Sequence, residues 1–236
     1  GGCPLDSDGH SAGVAVVAPP RLPGLMASRL PSSFKVVLLG EGRVGKTSLV
    51  LRFCRDTFVD GQPPTIQASC LERVLRIGDK SVNLVIWDTA GQERFHALGP
   101  IYYRDADAAL LVYDITDTDS FKRIQAWVRE LRKMVGSEIK LTIAGNKLDL
   151  ERQRVVSRQE AVDYAESVGA HYCETSAKQN RGIDDLFSNM GKRLLQAQVA
   201  KPAAGARSAN RGSRGSMVLI EDEPASSSAK SSSGCC

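Results

Sequence analysis

Gly40-Glu41-Gly42-Arg43-Val44-Gly45-Lys46-Thr47 stands between Phe34-Lys35-Val36-Val37-Leu38-Leu39 and Ser48-Leu49-Val50-Leu51-Arg52-Phe53. The first flank reads as a buried strand and the second has the apolar spacing of an opening helix. Strand, glycine-rich turn and helix is the setting a phosphate-binding P-loop requires. In that setting the glycines let backbone N–H groups close around a β-phosphate, and the helix start adds a positive dipole end. Lys46 can reach the β- and γ-phosphates, and the Thr47 hydroxyl can ligate Mg2+. Gly40, Gly42, Arg43, Val44, Gly45, Lys46, Thr47 and Ser48 are thus the candidate phosphate cradle of a nucleoside triphosphate site. The bland alternative, a glycine-rich turn that happens to precede a lysine, does not account for both flanks.

Two later motifs specify the base. Leu141-Thr142-Ile143-Ala144-Gly145 reads as another buried strand and delivers Asn146-Lys147-Leu148-Asp149 at its end. A carboxylate at Asp149 can accept from both N1–H and the 2-amino group of guanine. Adenine offers no donor at either place, so a buried carboxylate facing it stays unpaired and the site discriminates. The Lys147 stem can lie along the base face. Glu174-Thr175-Ser176-Ala177-Lys178 follows the last strand, where a backbone N–H can meet the guanine 6-oxygen. Asn-Lys-x-Asp alone is a common turn. After a P-loop and before Ser176-Ala177-Lys178 it points to GTP or GDP.

Trp87-Asp88-Thr89-Ala90-Gly91-Gln92-Glu93 follows the apolar strand Val82 to Ile86. Asp88 at that strand end can hold Mg2+ through water. Gly91 can offer its N–H to a γ-phosphate, and Gln92 can orient an attacking water. For phosphoryl transfer a protein mostly positions groups and neutralises charge. Gln92, Lys46 and Gly91 are therefore the candidate catalytic residues. Arg43 and Arg94 are the nearest candidates for an internal arginine finger, though a solvated or partner-facing role suits them better.

These motifs resemble those of the Ras-superfamily small GTPases, and specifically of the Rab branch. Trp87 to Glu93, Tyr102-Tyr103-Arg104 and Leu111-Val112-Tyr113-Asp114-Ile115-Thr116 are Rab-type runs, and the chain ends in Cys235-Cys236. The likeness covers about residues 34 to 198. Within the branch it is strongest to the early-endosomal group, above all the member associated with integrin traffic. Thr65-Ile66-Gln67-Ala68-Ser69, Phe95 to Ile101 and Ser176 to Asn180 carry that closer match. The resemblance implies a P-loop small GTPase fold, with a doubly wound, mostly parallel six-stranded sheet and one antiparallel edge hairpin. It implies that Thr65 senses the γ-phosphate through Mg2+ and that Phe58 packs edge-on against guanine. It also implies that Gly42 stays small for Gln92 and that Arg94 to Tyr103 form the second switch. Thr47, Thr65 and Asp88 are the implied metal set. Implied partners are a guanine-nucleotide exchange factor, a GTPase-activating protein, a GDP-dissociation inhibitor, Rab escort protein with geranylgeranyltransferase, and trafficking effectors.

Two positions depart from the Rab pattern. Rabs usually carry an aromatic where this chain has Cys70, in an effector patch that here would comprise Ile66, Cys70, Trp87 and Tyr102. A cysteine removes ring area that would bury about 150 Å² or more. Arg43 is large and charged where the family is more often small, at a position that points outward.

With 236 residues the chain can build one sizeable domain plus tails. Strand and helix patterns alternate from Phe34 to about Ala200, the signature of a doubly wound α/β sheet. Ile77-Gly78-Asp79-Lys80-Ser81 reads as a hairpin turn. Residues 1–33, rich in Gly, Ala and Pro, are expected to be a disordered extension, 34–200 the nucleotide domain, and 201–236 a flexible tail. Six cysteines without metal-type spacing in the domain do not suggest a disulfide framework. A mild, mixed net charge of +4 supports no nucleic-acid surface. On the Rab resemblance Cys235 and Cys236 are both geranylgeranylated, and two lipid chains anchor stably where one is marginal. The tail would let the domain stand about 30–35 Å off the membrane.

The expected function is a slow GTPase that switches between GTP and GDP forms and recruits effectors in vesicular traffic. Its expected location is the cytoplasmic face of early endosomes, with a cytosolic pool. A nucleotide-binding pseudo-GTPase acting as a constitutive binding module is the alternative, and intact Gln92, Thr65 and Gly42 argue against it. A stand-alone NTPase or kinase would need a substrate lid that these short loops do not supply.

Overall fold

The alternating apolar and amphipathic segments form one α/β sheet with helices on both faces. The computed structural model describes residues 31–89 and 102–200. In chain order they form β1 (Ser32–Leu39), α1 (Lys46–Arg55), β2 (Ser69–Ile77), β3 (Lys80–Asp88) and β4 (Ala108–Asp114). Then come α2 (Thr118–Val135), β5 (Lys140–Asn146), a 3₁₀ segment (Leu148–Gln153), α3 (Arg158–Ser167), β6 (His171–Glu174) and α4 (Ile183–Ala200).

The six strands lie in the order β2-β3-β1-β4-β5-β6. Only β2 and β3 pair antiparallel; β1 pairs parallel with β3 and β4, and β5 pairs parallel with β4 and β6. The expected mostly parallel sheet with an antiparallel edge hairpin is therefore present. The register pairs Ile77 with Lys80, leaving Gly78 and Asp79 as the turn. Gly78 has φ +59°, and Asp79 is not among the positive-φ residues. That pattern suits a type II′ turn, whose twist matches the strands.

β1 starts at Ser32, two residues before the domain start read from the sequence, because Ser32 and Ser33 pair with Val82 and Asn83. A backbone ladder needs no apolar side chain, so the end of the apolar run did not mark the end of pairing.

Alternation along β1 divides the core. Val36 and Leu38 join a cluster with Leu49, Val50 and Phe53 of α1 and Leu186, Phe187 and Met190 of α4. Val37 and Leu39 face the other way, toward Phe121, Ile124 and Leu131 of α2 and Ala161 and Ala165 of α3. A strand buried on both faces reads as a continuous apolar run, which is how β1 and β4 read. Phe53 stacks on Phe187 with centroids 3.8 Å apart and planes at 16°, locking α1 onto α4. Such a pair contributes about 0.5–1.5 kcal/mol beyond its buried area. On the hairpin edge Leu71, Leu75 and Ile77 turn toward the core, and Glu72, Val74 and Arg76 alternate outward.

After β1 the chain goes to one side of the sheet for β3 and to the other for β4. The C-terminal ends of parallel strands beside such a reversal form the crevice where ligands bind in this architecture. The turns after β1, β5 and β6 open on that edge, and β3 ends there at Asp88.

Candidate nucleotide site

A cavity of about 560 Å³ opens there, within the usual range for a small-molecule site. From the turn after β1 it is lined by Gly42, Arg43, Gly45, Lys46, Thr47 and Ser48. Phe58 and Thr65 reach it from the segment between α1 and β2. Asn146, Lys147 and Asp149 come from beyond β5, and Ala177 and Lys178 from beyond β6. The phosphate and base motifs thus converge on a single cavity, while Asp88 and Ser176 do not line it and reach it through Thr47 and Asp149. Gly91 and Gln92 lie outside the described residues, as do Cys235 and Cys236.

The turn after β1 owes its glycines to close approach. Gly40 has φ +145°, and a Cβ there would sit 2.2 Å from the Val112 carbonyl oxygen of β4. Gly45 has φ +94°, and its Cβ would sit 2.5 Å from Nδ2 of Asn146. Arg43 also has a positive φ of 64°, and it is exposed at the cavity rim. Gly45 caps α1 without any side-chain cap, and the first turn holds no acidic residue. The helix start therefore presents backbone N–H groups and a positive dipole end to the cavity.

Lys46 is only 5% exposed. Its ammonium donates to the Gly40 carbonyl at 2.9 Å and the Glu41 carbonyl at 3.0 Å. Burial pushes its pKa down to about 8, against the pull of the Asp88 and Glu41 charges. A dehydrated cation held by carbonyls in a cavity wall is a counter-charge for a polyanion.

The three residues of the expected metal set meet directly. The Thr47 hydroxyl lies 2.6 Å from the Thr65 hydroxyl and donates to Oδ2 of Asp88 at 2.6 Å. Asp88 is 1% exposed, and its Oδ1 has no hydrogen-bond partner among the described residues. Burial raises its pKa, opposed by the Thr47 hydrogen bond and the Lys46 charge.

On the base side, Asn146 is a cross-brace. Its Nδ2 donates to the Val44 carbonyl at 2.8 Å, and its Oδ1 accepts from the Thr175 hydroxyl at 3.1 Å. The Ser176 hydroxyl donates to Oδ1 of Asp149 at 2.5 Å and accepts from the Gln179 N–H at 3.1 Å. Lys147 takes a left-handed backbone, φ +68°, and its ammonium lies 2.6 Å from Oδ2 of Asp114. Thr175 and Asp114 are site residues that sequence reasoning missed as individuals. A threonine directly before Ser176 and an acidic residue ending a buried strand beside the crevice were the available signals.

Part of the expected effector patch is assembled next to this edge. Cys70 faces Trp87 across the hairpin ladder, and the Trp87 and Tyr102 ring centroids are 6.3 Å apart. The Lys35 ammonium lies 5.3 Å from the Trp87 ring centroid. Cys70 is a free, exposed thiol, and Ile66 is 70% exposed in the segment leading into β2.

A family model described as "Ras family" matches residues 35–196. The chain belongs to the Ras family. Within it the chain is similar to Rab proteins. It is 61% identical over 206 residues to mouse Ras-related protein Rab-21, covering 86% of this chain and 91% of the relative. The human Rab-21 is 60% identical with the same coverage. Ras-related protein Rab-5A of Dictyostelium discoideum is 48% identical over 172 residues, 73% of this chain and 86% of the relative. This Ras-family chain is a Rab-type GTPase, of the branch that serves vesicle traffic.

Mg2+ is typical of the family, and the residues present fit it. Two hydroxyls and an unmatched buried carboxylate oxygen are the hard donors such an ion takes. Among the described residues no cluster of His, Cys, Asp or Glu could hold a metal by itself.

Proposed function

We propose that the cavity binds GTP and GDP and that the chain is a switch whose two forms differ at the segment carrying Thr65. The observation that carries the reading is the convergence of Thr47, Thr65 and Asp88 at 2.6 Å contacts beside a buried Lys46. Thr47 comes from α1, Asp88 from β3 and Thr65 from a loop. A ligand that Thr65 holds only in one nucleotide state therefore orders that loop in that state.

Each residue has a role on this reading. The α1 N-terminus and the turn Gly40 to Ser48 cradle the phosphates, and Lys46 meets their charge. Thr47, Thr65 and Asp88 would hold Mg2+, which supplies charge neutralisation at the β- and γ-phosphate oxygens. Asp149 accepts from guanine N1–H and the 2-amino group, with Ser176 fixing its carboxylate. Asn146 ties the base side to the phosphate side, the Lys147 stem covers one base face, and Phe58 meets its edge. Gln92 orients the attacking water, and the Gly91 N–H meets the γ-phosphate. Hydrolysis is slow by itself; in Ras-type enzymes a partner's arginine adds on the order of 10⁵-fold.

Its output is binding. The surface made by exposed Cys70 and half-buried Trp87 and Tyr102 meets trafficking effectors in the GTP form. An exchange factor, a GTPase-activating protein and a GDP-dissociation inhibitor would drive and reset the cycle. Among the described residues no helix is long and apolar enough to cross a membrane. Attachment instead runs through Cys235 and Cys236, modified by geranylgeranyltransferase with Rab escort protein, at early endosomes with a cytosolic pool.

Single-turnover hydrolysis tests the reading. The chain should cleave GTP but not ATP and should stop when Mg2+ is chelated, and Gln92→Leu should hold its GTP even with an activating protein. ATP cleavage at the same rate, or a normal stimulated rate in Gln92→Leu, would overturn it.

A further inference from the structure

Arg52 lies in the last turns of α1, with a side chain only 16% exposed. Its Nε donates to the Ala177 carbonyl at 3.0 Å. Its Nη1 donates to the Asp56 carbonyl at 3.0 Å and to the Asp56 carboxylate at 3.2 Å. The guanidinium carbon also lies 5.8 Å from the Phe58 ring centroid, within cation–π range. Ala177 and Phe58 both line the cavity, but they come from distant parts of the chain. One planar group therefore touches two walls of the base pocket.

We propose that Arg52 is a positioning residue for base recognition, holding the Ala177 loop and the Phe58 ring at the separation that fits a 6-oxopurine. The inference rests on the reading of the cavity as a guanine site. A guanidinium presents its donors in a rigid fork, so anchoring Nη1 at the end of α1 fixes the direction in which Nε points. Fixing the Ala177 carbonyl in turn fixes the Ala177–Lys178 peptide plane, and both residues line the cavity. An ordinary helix-end pair between Arg52 and Asp56 would explain the Nη1 contacts alone. It would not require the bond across to Ala177 or the packing on Phe58. Lysine keeps the charge but not the fork.

The test compares release of GDP with release of 6-thio-GDP, which keeps N1–H and the 2-amino group but replaces the 6-oxygen by a larger, weaker acceptor. The wild-type chain should release 6-thio-GDP about five- to tenfold faster than GDP, the worth of one good hydrogen bond. In Arg52→Gln, GDP release should quicken about tenfold or more, and the ratio of the two rates should fall toward one. Arg52→Lys should lie between, and it carries the test if Arg52→Gln does not fold. A purely structural role would speed both ligands equally and leave the ratio unchanged, which overturns the proposal. A wild-type ratio of one overturns it too, because the loop would not be reading position 6. Failure of the wild-type chain to prefer GDP over ADP would instead sink the guanine reading itself.

Discussion

Replacing Gly45 with alanine tests how closely the phosphate and base sides of the cavity are built onto each other. Gly45 has φ +94°, and its new Cβ would lie 2.5 Å from Nδ2 of Asn146. That amide is 1% exposed and held at both ends, to Val44 at 2.8 Å and Thr175 at 3.1 Å, so it cannot simply swing aside. The substitution adds left-handed backbone strain of about 1–2 kcal/mol. Displacing Asn146 then leaves buried groups unmatched, for about 1–3 kcal/mol more. The sum is about 2–5 kcal/mol. Gly78→Ala is the control: its φ is +59° and nothing lies within 4 Å of its Cβ, so only strain remains. At about 2–4 °C per kcal/mol for a domain of this size, Gly45→Ala should lose about 4–20 °C and Gly78→Ala about 2–8 °C. Thermal unfolding by circular dichroism in excess Mg2+ and GDP measures both. Release of a fluorescent GDP should quicken only in Gly45→Ala. Equal losses and equal release rates in the two variants would refute the cross-brace.

Asp88→Ala removes the unmatched carboxylate beside Thr47; GDP release should become fast and insensitive to chelators, whereas chelation should speed release from the wild-type chain. If the variant still responds to chelation like the wild type, Asp88 is not part of the metal site. Asp114→Ala should free Lys147, which now lies 2.6 Å from its carboxylate, and raise the GDP release rate about tenfold or more, read by stopped-flow fluorescence. An unchanged rate would mean the pair does not hold Lys147 in place. Burial, with Arg193 nearby, holds the His171 imidazole below its ordinary value of 6.5. The unfolded chain therefore takes up that proton at higher pH than the folded one, so stability drops as pH falls below about 6.5 and levels off once the folded form is protonated. His171→Gln should flatten the melting temperature between about pH 7 and pH 5; parallel profiles would count against this histidine.

Much of the site was legible because its chemistry is local in sequence. A P-loop needs its glycines, lysine and threonine in one turn, and Asn146 to Asp149 form one strand end. The hairpin was equally plain from Gly78-Asp79. Contacts between distant segments were not legible. Nothing in the sequence pairs Thr175 with Asn146, Lys147 with Asp114 or Arg52 with Ala177, since the first two exist only once β4, β5 and β6 stand side by side and the third only once α1 packs beside the turn after β6. The sequence reading gave the glycines a role in closing around phosphate; Gly40 and Gly45 are also required by Val112 and Asn146, a packing demand no motif records. The start of β1 was missed because Ser32 and Ser33 join the ladder through backbone alone. The roles proposed for Gly91 and Gln92 rest on the sequence alone, since both lie outside the described residues.

Amide hydrogen exchange of the full chain over Asp60 to Cys70 probes the switch most directly. It should be measured once with Mg2+-GDP and once with Mg2+ and a non-hydrolysable GTP analogue. Closure of Thr65 onto Thr47 predicts markedly stronger protection of this segment in the GTP-like form, and Thr65→Ala should abolish the difference. Equal protection in both states, with loading verified, would contradict a nucleotide-controlled switch in this chain.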